Sequence, residues 1–304
     1  MAESASSTSE RLGRSVLLGL LDLRPSIGAK PPAPHAEEAI AQPLAAAKVY
    51  AFASVDYPGA AQSQVFDSDG TTAVGSFLFD PASTPATAFT FVDGTYRILA
   101  VPGSSESIAT GINGSGLIVG TYQDLAGVRH GFADDGAGFA TVDFPGASAT
   151  QAIGVNAAGQ IVGEYVDAAN VEHGFVSTGG TFTAIDVPGA AATVAAGINT
   201  AGDIVGVFAD TANYRGFLLQ GDAFTPIDFP LATRTIAFGI SDTGEIAGFY
   251  DDATGSHGFI YADGAFSTVD VAGARSTGLT RIRDGMVTGF CTDALTATHG
   301  LSGR

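Results

Sequence analysis

The sequence lacks tryptophan, and it contains a single cysteine, Cys291, among its 304 residues. One thiol cannot form an internal disulfide, so the fold must depend on its hydrophobic core, and the cysteine content does not indicate a redox compartment. Tryptophan commonly stacks on bound sugars, so its absence argues against a lectin.

Positive charge is also scarce. The chain has 13 lysine and arginine residues against 31 aspartate and glutamate residues, a formal net charge of −18 at pH 7. Such a chain would repel a phosphate backbone instead of releasing its counterions, which argues against nucleic acid and anionic membranes as partners. The acidic residues either keep a surface rich in glycine and alanine soluble or form sites for cations or basic ligands.

Long hydrophobic runs are missing as well. The apolar run at residues 16–21 ends at Asp22 and is too short to cross a membrane, so no membrane insertion is predicted. Basic residues precede this run and a segment rich in alanine and proline follows it. Residues 1–46 are therefore either a secretory leader or a disordered extension, and residues 47–304 form the predicted domain.

Glycine, in contrast, is abundant, and the chain repeats itself. The 41 glycines suit short strands joined by tight turns. A His-Gly-Phe triplet recurs in variant forms every 42 or 43 residues, ending at Phe89, Phe132, Phe175, Phe217, Phe259 and Leu301. This spacing predicts six tandem repeats.

Two further markers recur in phase with the triplet. The first is Val-Asp-x-Pro-Gly, with copies that begin at Val55, Leu99, Val142, Ile185, Ile227 and Val269. The second is Gly-Ile-Asn followed by Ile-Val-Gly, with copies that begin at Gly111, Gly154, Gly197, Gly239 and Gly278. Three markers in phase identify a repeat of about 42 residues.

Each repeat predicts four short strands. In the third repeat they cover about residues 151–156, 160–166, 173–177 and 181–187, with turn signals between them. Four antiparallel strands in such a repeat form the blade of a propeller. The sequence therefore predicts an all-β fold, a six-bladed β-propeller of four-stranded antiparallel blades.

The chain ends predict how the ring closes. The last repeat stops after its third strand, whereas residues 49–57 are a surplus copy of a fourth strand. We expect this N-terminal strand to complete the last blade. Where the first strands crowd around the axis, we expect small residues, such as Ala109, Gly111, Ala152 and Gly154.

The combination of Val-Asp-x-Pro-Gly-Ala, Gly-Ile-Asn-x-x-Gly-x-Ile-Val-Gly-x-Tyr and His-Gly-Phe resembles the bacterial extracellular repeats of the HAF family, over about residues 49–304. The resemblance implies a propeller-like repeat protein that is secreted or periplasmic. It supplies no catalytic residues. A cytoplasmic location follows instead if residues 1–46 are not a leader.

Most recurring polar residues have a structural interpretation. Asn113, Asn156 and Asn199 begin the hairpin turns after the first strands, and we place Ser241, Thr280 and Asp67 in the same role. Carboxylates just before the Pro-Gly turn can accept backbone N–H groups. These are Asp56, Asp143, Asp186, Asp228 and Asp270.

The recurring histidines and loop acids also raise the question of a metal. His130, His173, His257 and His299 begin third strands away from the axis, which favours structural roles over a shared metal. A divalent cation such as calcium would instead bind at the rim that carries the loop acids. These are Asp124, Asp167, Asp210, Asp252 and Asp293. No other cofactor is predicted.

Departures from the repeat are better site candidates than the residues that all repeats share. The catalytic candidates are Glu164, Glu106, Arg215 and Arg281. The ligand-binding candidates are Tyr122, Tyr165, Tyr250 and Arg234, and packing between blades is an alternative interpretation of the three tyrosines.

Two functions remain open. The first is a non-catalytic binding or scaffolding propeller that holds a small molecule, glycan or protein on its loop rim or in its axial channel. The second is an enzyme of hydrolase, lactonase, lyase or isomerase type, with an active site at one mouth of the channel and with or without a cation. The sequence contains no nucleophile motif, phosphate-binding loop or dinucleotide fingerprint.

Overall fold

The computed structural model describes Leu44 and residues 49–80, 85–210 and 213–304. Apart from Leu44, the predicted leader or extension at residues 1–46 lies outside the described residues. Every regular element within the described residues is a β-strand, which confirms the all-β class. In this part of the chain there is no helix with the length and hydrophobicity to span a bilayer.

The described residues form 24 strands. The first five are β1 (Phe52–Ser54), β2 (Gln62–Ser68), β3 (Thr72–Leu78), β4 (Thr87–Val92) and β5 (Thr95–Ile98). The next sixteen form four separate four-stranded sheets, which we call blades I to IV. Blade I contains β6 (Ser104–Ile112), β7 (Ile118–Asp124), β8 (Arg129–Asp134) and β9 (Phe139–Val142). Blade II contains β10 (Ala149–Val155), β11 (Ile161–Val166), β12 (Glu172–Thr178) and β13 (Thr181–Ile185). Blade III contains β14 (Ala192–Ile198), β15 (Ile204–Ala209), β16 (Tyr214–Gln220) and β17 (Ala223–Ile227). Blade IV contains β18 (Arg234–Ile240), β19 (Ile246–Asp251), β20 (Ser256–Ala262) and β21 (Ala265–Val269). The last three strands are β22 (Ser276–Arg283), β23 (Met286–Thr292) and β24 (Thr298–Gly303).

Each blade is an antiparallel meander whose first strand lies innermost. In blade III, for example, β14 pairs with β15, β15 with β16 and β16 with β17. The first strands contact one another in the order β2, β6, β10, β14, β18 and β22, and β22 contacts β2 again. This is a β-propeller arrangement with four-stranded blades.

The remaining eight strands form one sheet instead of two separate blades. Its strand order is β22-β23-β24-β2-β3-β4-β5, and β1 pairs with β24. A single parallel residue pair, Gln62 with Thr298, joins the two halves. The sequence predicted six separate blades, whereas the described residues form four and one eight-stranded sheet. The difference arises where the two ends of the domain meet, because β2 and β24 approach closely enough there to pair.

The N-terminal strand has the partner that the repeats predicted. β1 pairs antiparallel with β24, with Ala53 opposite Ser302. Just after β1, the Val55 N–H donates to the Gly300 carbonyl oxygen over 2.8 Å. The start of the domain therefore supplies the strand that the last repeat lacks.

A β-bulge in each first strand explains the small residues near the axis. In blade II the ladder shifts between Ala152 and Gly154. A Cβ atom at Gly154 would lie 2.7 Å from the Ala196 carbonyl oxygen of the neighbouring first strand, so the expected small residue is required there. Glycine follows the shift in all four blades, at Gly111, Gly154, Gly197 and Gly239.

The bulges also correct the sequence alignment of the two remaining repeats. Asp67 in β2 and Arg281 in β22 follow the shift and take the place of the blade glycines. The prediction that Asp67 and Thr280 begin the hairpin turns was therefore wrong. Asp69 occupies the turn position, and its Oδ1 accepts the N–H groups of Thr71 and Thr72. Arg283, the last residue of β22, lies at the corresponding position in the last repeat.

Recurring glycine and phenylalanine residues form one packing unit in each blade. Phe175 is fully buried. A Cβ atom at Gly163 would lie 2.8 Å from the Phe175 ring and 1.9 Å from the Gln151 carbonyl oxygen. The triplet phenylalanine and the second-strand glycine are therefore core residues that specify the fold.

Candidate functional site

Each recurring histidine lies between two aspartates. His173 Nδ1 is 2.8 Å from Asp186 Oδ1, and its Nε2 is 3.4 Å from Asp167 Oδ2. The arrangement recurs at His130 with Asp143 and Asp124, at His257 with Asp270 and Asp252, and at His299 with Asp56 and Asp293. Each imidazole therefore connects the loop after a second strand to the end of a fourth strand.

The aspartates before the Pro-Gly turns have a different partner from the predicted one. They bond the imidazoles, although Asp56 Oδ1 also accepts the Gly300 N–H over 3.2 Å. In blade III Arg215 replaces the histidine, and its Nε donates to Asp228 Oδ2 over 2.8 Å. Arg215 is thus in a structural ion pair and does not face the other catalytic candidates.

The loop acids that were candidates for a cation rim accept hydrogen bonds from their own loops. Asp167 Oδ1 accepts the N–H groups of Ala169 and Val171. The Val171 hydrogen bond is the main cause of the lowered pKa of Asp167; burial opposes it and His173 adds to it. Equivalent hydrogen bonds occur at Asp124, Asp210, Asp252 and Asp293. Within the described residues, no group of three or more His, Cys, Asp or Glu side chains could hold a metal ion.

A buried ion pair lies at the centre of the ring. Arg281 Nε is 3.4 Å from Asp67 Oδ2, and both side chains are buried. Arg281 also donates to the carbonyl oxygens of Phe238 over 2.6 Å and Ile153 over 3.0 Å. Asp67 Oδ2 accepts the Ile112 N–H over 3.0 Å. These bonds connect first strands around the axis, which gives Arg281, a catalytic candidate of the sequence, a structural role there.

Charged residues of blades II and IV influence the pKa of Tyr214 in blade III. Glu164 is 1% exposed and accepts a hydrogen bond from Gln151, its neighbour in the ladder. Burial raises the pKa of Tyr214; the charges of Glu172 and Glu164 raise it further, and that of Arg234 lowers it. We call Glu164, Glu172, Tyr214 and Arg234 the Tyr214 cluster. The charges of Glu164 and Arg234, two of the sequence candidates, thus both act on Tyr214, while Arg234 Nε lies 2.7 Å from Asp251 Oδ2 in an ion pair.

Sequence reasoning missed Tyr214 and Glu172. Both are first residues of third strands, directly before the recurring triplet. A different residue type occupies this position in every repeat, and this variation was the signal by which the sequence could have identified both residues. Glu106, in contrast, lies near the start of β6 opposite Gln123, apart from the cluster in the ladder of blade I.

The tyrosine candidates belong to aromatic stacks. The ring centroids of Phe144 and Tyr165 are 3.6 Å apart with an interplanar angle of 5°, and Tyr165 also stacks on His173 at 5.0 Å. A ring at 3.6 Å covers one face of Tyr165, so the imidazole covers the other. The stack Phe229, Tyr250 and His257 repeats this arrangement in blade IV, and Tyr57 stacks on Phe77 at 3.7 Å.

Blade III lacks the first layer of this stack. Val187 holds the position of Phe144, and Phe208 holds the position of Tyr165. The Arg215 guanidinium lies 5.9 Å from the Phe208 ring centroid, where other blades have the imidazole. A cavity of about 430 Å³ opens here, which we call the blade III hollow. It is lined by Val187, Pro188, Phe208, Phe217, Asp222, Phe224 and Pro226.

Comparison with solved structures supports the architecture. The chain is similar to AofleA from Arthrobotrys oligospora, with a TM-score of 0.54 at 14% identity over 87% of this chain and 91% of that chain. It is also similar to the β-propeller domain of the Trilobed protease from Pyrococcus furiosus, with a TM-score of 0.50 at 10% identity over 81% of this chain and 94% of that chain. The fold is that of a β-propeller. Streptogramin B lyase is similar as well, with a TM-score of 0.50 at 13% identity over 83% and 86% of the two chains. No family model matches the sequence, and no curated protein matches it.

Proposed function

We propose that the protein is a non-catalytic binding propeller whose ligand occupies the blade III hollow. One observation carries this proposal: the hollow is a place where the packing of the repeat is interrupted, and hydrophobic side chains form most of its lining. Concave, mostly apolar pockets with a few polar groups are the usual sites for small molecules. The recurring histidines and aspartates, in contrast, bond one another.

We also propose that the ring has six blades. The eight-stranded sheet would then consist of one blade of β22, β23, β24 and β1 and another of β2 to β5. The single pair between its halves and the closed circle of first strands support this division. The His299–Asp56 bond of 2.9 Å also supports it, because it reproduces the histidine–aspartate bridge of the other blades. With three recurring motifs, this ring fits an HAF-type repeat protein.

Thermal unfolding of the full chain tests the binding function. The chain is screened in chelator and then with divalent cations, against sugars, lactones, carboxylic acids, amines and aromatic metabolites. A ligand at about 100 times its dissociation constant stabilises a fold by about 2.7 kcal/mol. We expect at least one class to raise the unfolding temperature in chelator. A flat response to every class would overturn the proposal in favour of a protein-binding scaffold.

The Tyr214 cluster supports an enzyme as the second candidate function. A buried carboxylate near a tyrosine of raised pKa is an environment in which acid–base groups occur. Streptogramin B lyase, which has a similar fold, carries the name of an enzyme. This similarity supports the enzyme candidate by analogy alone.

Two conservative variants test this candidate on any ligand that the screen identifies. If the cluster performs acid–base chemistry, Glu164→Gln and Tyr214→Phe should lower turnover about 100-fold or more. Ligand-induced stabilisation should remain, because neither variant touches the blade III hollow. If the parent protein leaves the ligand chemically unchanged, the enzyme candidate is rejected.

A further inference from the structure

The side chains around the blade III hollow depart from the repeat together. In blade IV the Tyr250 hydroxyl lies 3.1 Å from the Thr268 hydroxyl, and in blade I the corresponding Tyr122–Thr141 distance is 3.4 Å. In blade III both polar partners are replaced, by Phe208 and by Pro226 on the outer strand. The paired replacement removes two hydroxyl groups and makes this wall of the hollow apolar.

The missing layer of the aromatic stack defines the shape of the space. At the positions equivalent to Val187, Phe144 and Phe229 place a ring 3.6 and 3.5 Å from the next aromatic ring, nearly parallel to it. Val187 has no ring, and it is partly exposed. The face of Phe208 opposite Arg215 therefore borders a slot that would fit one planar ring.

Charge at the hollow indicates what the ring carries. Asp222 is an exposed lining residue in the hairpin between β16 and β17, where blades II and IV have Gly180 and Gly264. Among the residues that line the blade III hollow, Asp222 is the charged one. With a chain charge of −18, this carboxylate favours a cationic partner over an anionic one.

We propose that the blade III hollow binds a planar aromatic ring that bears an ammonium group. The ring stacks on Phe208 in the place that Phe144 and Phe229 fill in blades II and IV, and the ammonium lies beside Asp222. This inference rests on the proposed binding function, and it specifies the chemical class of the ligand.

Tryptamine is the probe, because it combines a planar ring with an alkylammonium group. The chain has no tryptophan, so the indole fluorescence comes from the probe alone. Fluorescence anisotropy of tryptamine is titrated with the full chain. We expect saturable binding, and we expect indole-3-propionate and 2-cyclohexylethylamine, measured as competitors that displace tryptamine, each to bind at least about tenfold more weakly. Equal binding of either compound would overturn the charge or the ring requirement.

Val187→Phe tests the position, since it supplies the ring that blades II and IV have. We expect it to raise the unfolding temperature and to weaken tryptamine binding at least about tenfold. The matched control is Val101→Phe, the same change at the equivalent position of blade I, where Val101 is only 6% exposed. The control should lower the unfolding temperature by overpacking and leave tryptamine affinity within about twofold. Unchanged affinity in Val187→Phe would place the probe elsewhere and overturn the site.

Asp222→Asn tests the charge. It should weaken tryptamine about two- to fivefold, as for an exposed ion pair, and have little effect on indole-3-propionate. Equal effects on both probes would contradict the ion pair. If tryptamine does not bind but another class stabilises the chain, the ligand class is wrong and the binding function stands. If no class binds, both fail.

Discussion

One repeat position near the axis carries glycine in blades I to IV but a charged residue in the two other repeats. At Gly154 a neighbouring carbonyl oxygen excludes a side chain, whereas the equivalent residues Asp67 and Arg281 extend into the centre of the ring. Burial lowers the pKa of Arg281 and Asp67 raises it, so the carboxylate compensates for part of the desolvation of the cation. The four glycines have no side chains, and this leaves room near the axis for the side chains of Asp67 and Arg281.

Removal of one charge should therefore be costly. Asp67→Ala leaves a buried guanidinium without its carboxylate, and we expect the free energy of unfolding to fall by about 3–5 kcal/mol. Denaturant unfolding measures the loss. Asp135→Ala, at an exposed acid, should cost less than about 1 kcal/mol. The double variant D67A/R281A should lose less than the sum of its single variants; additive losses would show that the two residues are not coupled.

At the scale of strands and loops, histidine–aspartate bridges connect the fourth strand to the loop after the second strand in blades I, II and IV and in the last repeat. The bridge at His299 has a further role, because its aspartate, Asp56, follows β1 at the other end of the domain. The hydrogen bond from the imidazole to the Asp56 carboxylate raises the pKa of His299 above its usual 6.5, and burial opposes the shift. The protonated imidazole is therefore favoured by folding.

This bridge should make stability depend on pH. The contribution of His299 is fully present below pH 6.5 and is lost as the pH rises through the raised pKa of the folded state. The backbone hydrogen bond from Ala297 lowers the pKa of Asp293, so its contribution is present above pH 3.8 and is lost as the pH falls through the lowered pKa. We expect the stability difference between the parent and His299→Gln to shrink from about pH 6 to about pH 9, as measured by denaturant unfolding. A constant difference would contradict this linkage.

At the scale of the whole molecule, β1 joins the two ends of the domain. The Ala51 N–H donates to the Arg304 carbonyl oxygen over 3.0 Å, and the Ala51 side chain is exposed. Cys291 lies in β23, one strand inward from β24, and is buried. Its thiol therefore reports the opening of this half of the eight-stranded sheet.

Ala51→Pro removes the hydrogen bond without changing buried packing. A hydrogen bond contributes about 0.5–1.5 kcal/mol, so labelling of Cys291 by a thiol reagent under native conditions should accelerate about two- to tenfold. Ala51→Gly retains the N–H and serves as the control. Equal labelling rates in both variants would show that the contact between β1 and β24 does not limit opening.

Much of the fold could be predicted because a repeat presents the same local information several times. Strand positions follow from alternation and turn residues, and the phase of three markers makes the blade recognisable. The surplus strand at residues 49–57 was predictable for the same reason. The site was harder to predict: Glu164 and Arg234 stand out as departures from the repeat, but only the fold places both where their charges act on the pKa of Tyr214.

The sequence by itself determined the all-β class, the four-stranded blade and the pairing of the domain's first strand with the last repeat, because these depend on local patterns repeated in phase. Tertiary structure alone decided that Asp67 neutralises Arg281, that the first and last repeats share one sheet, and that Val187, Phe208 and Pro226 border one hollow. These outcomes depend on which side chains meet across the ring or between neighbouring strands. Packing and desolvation act at those contacts, over distances in the chain that no local pattern records.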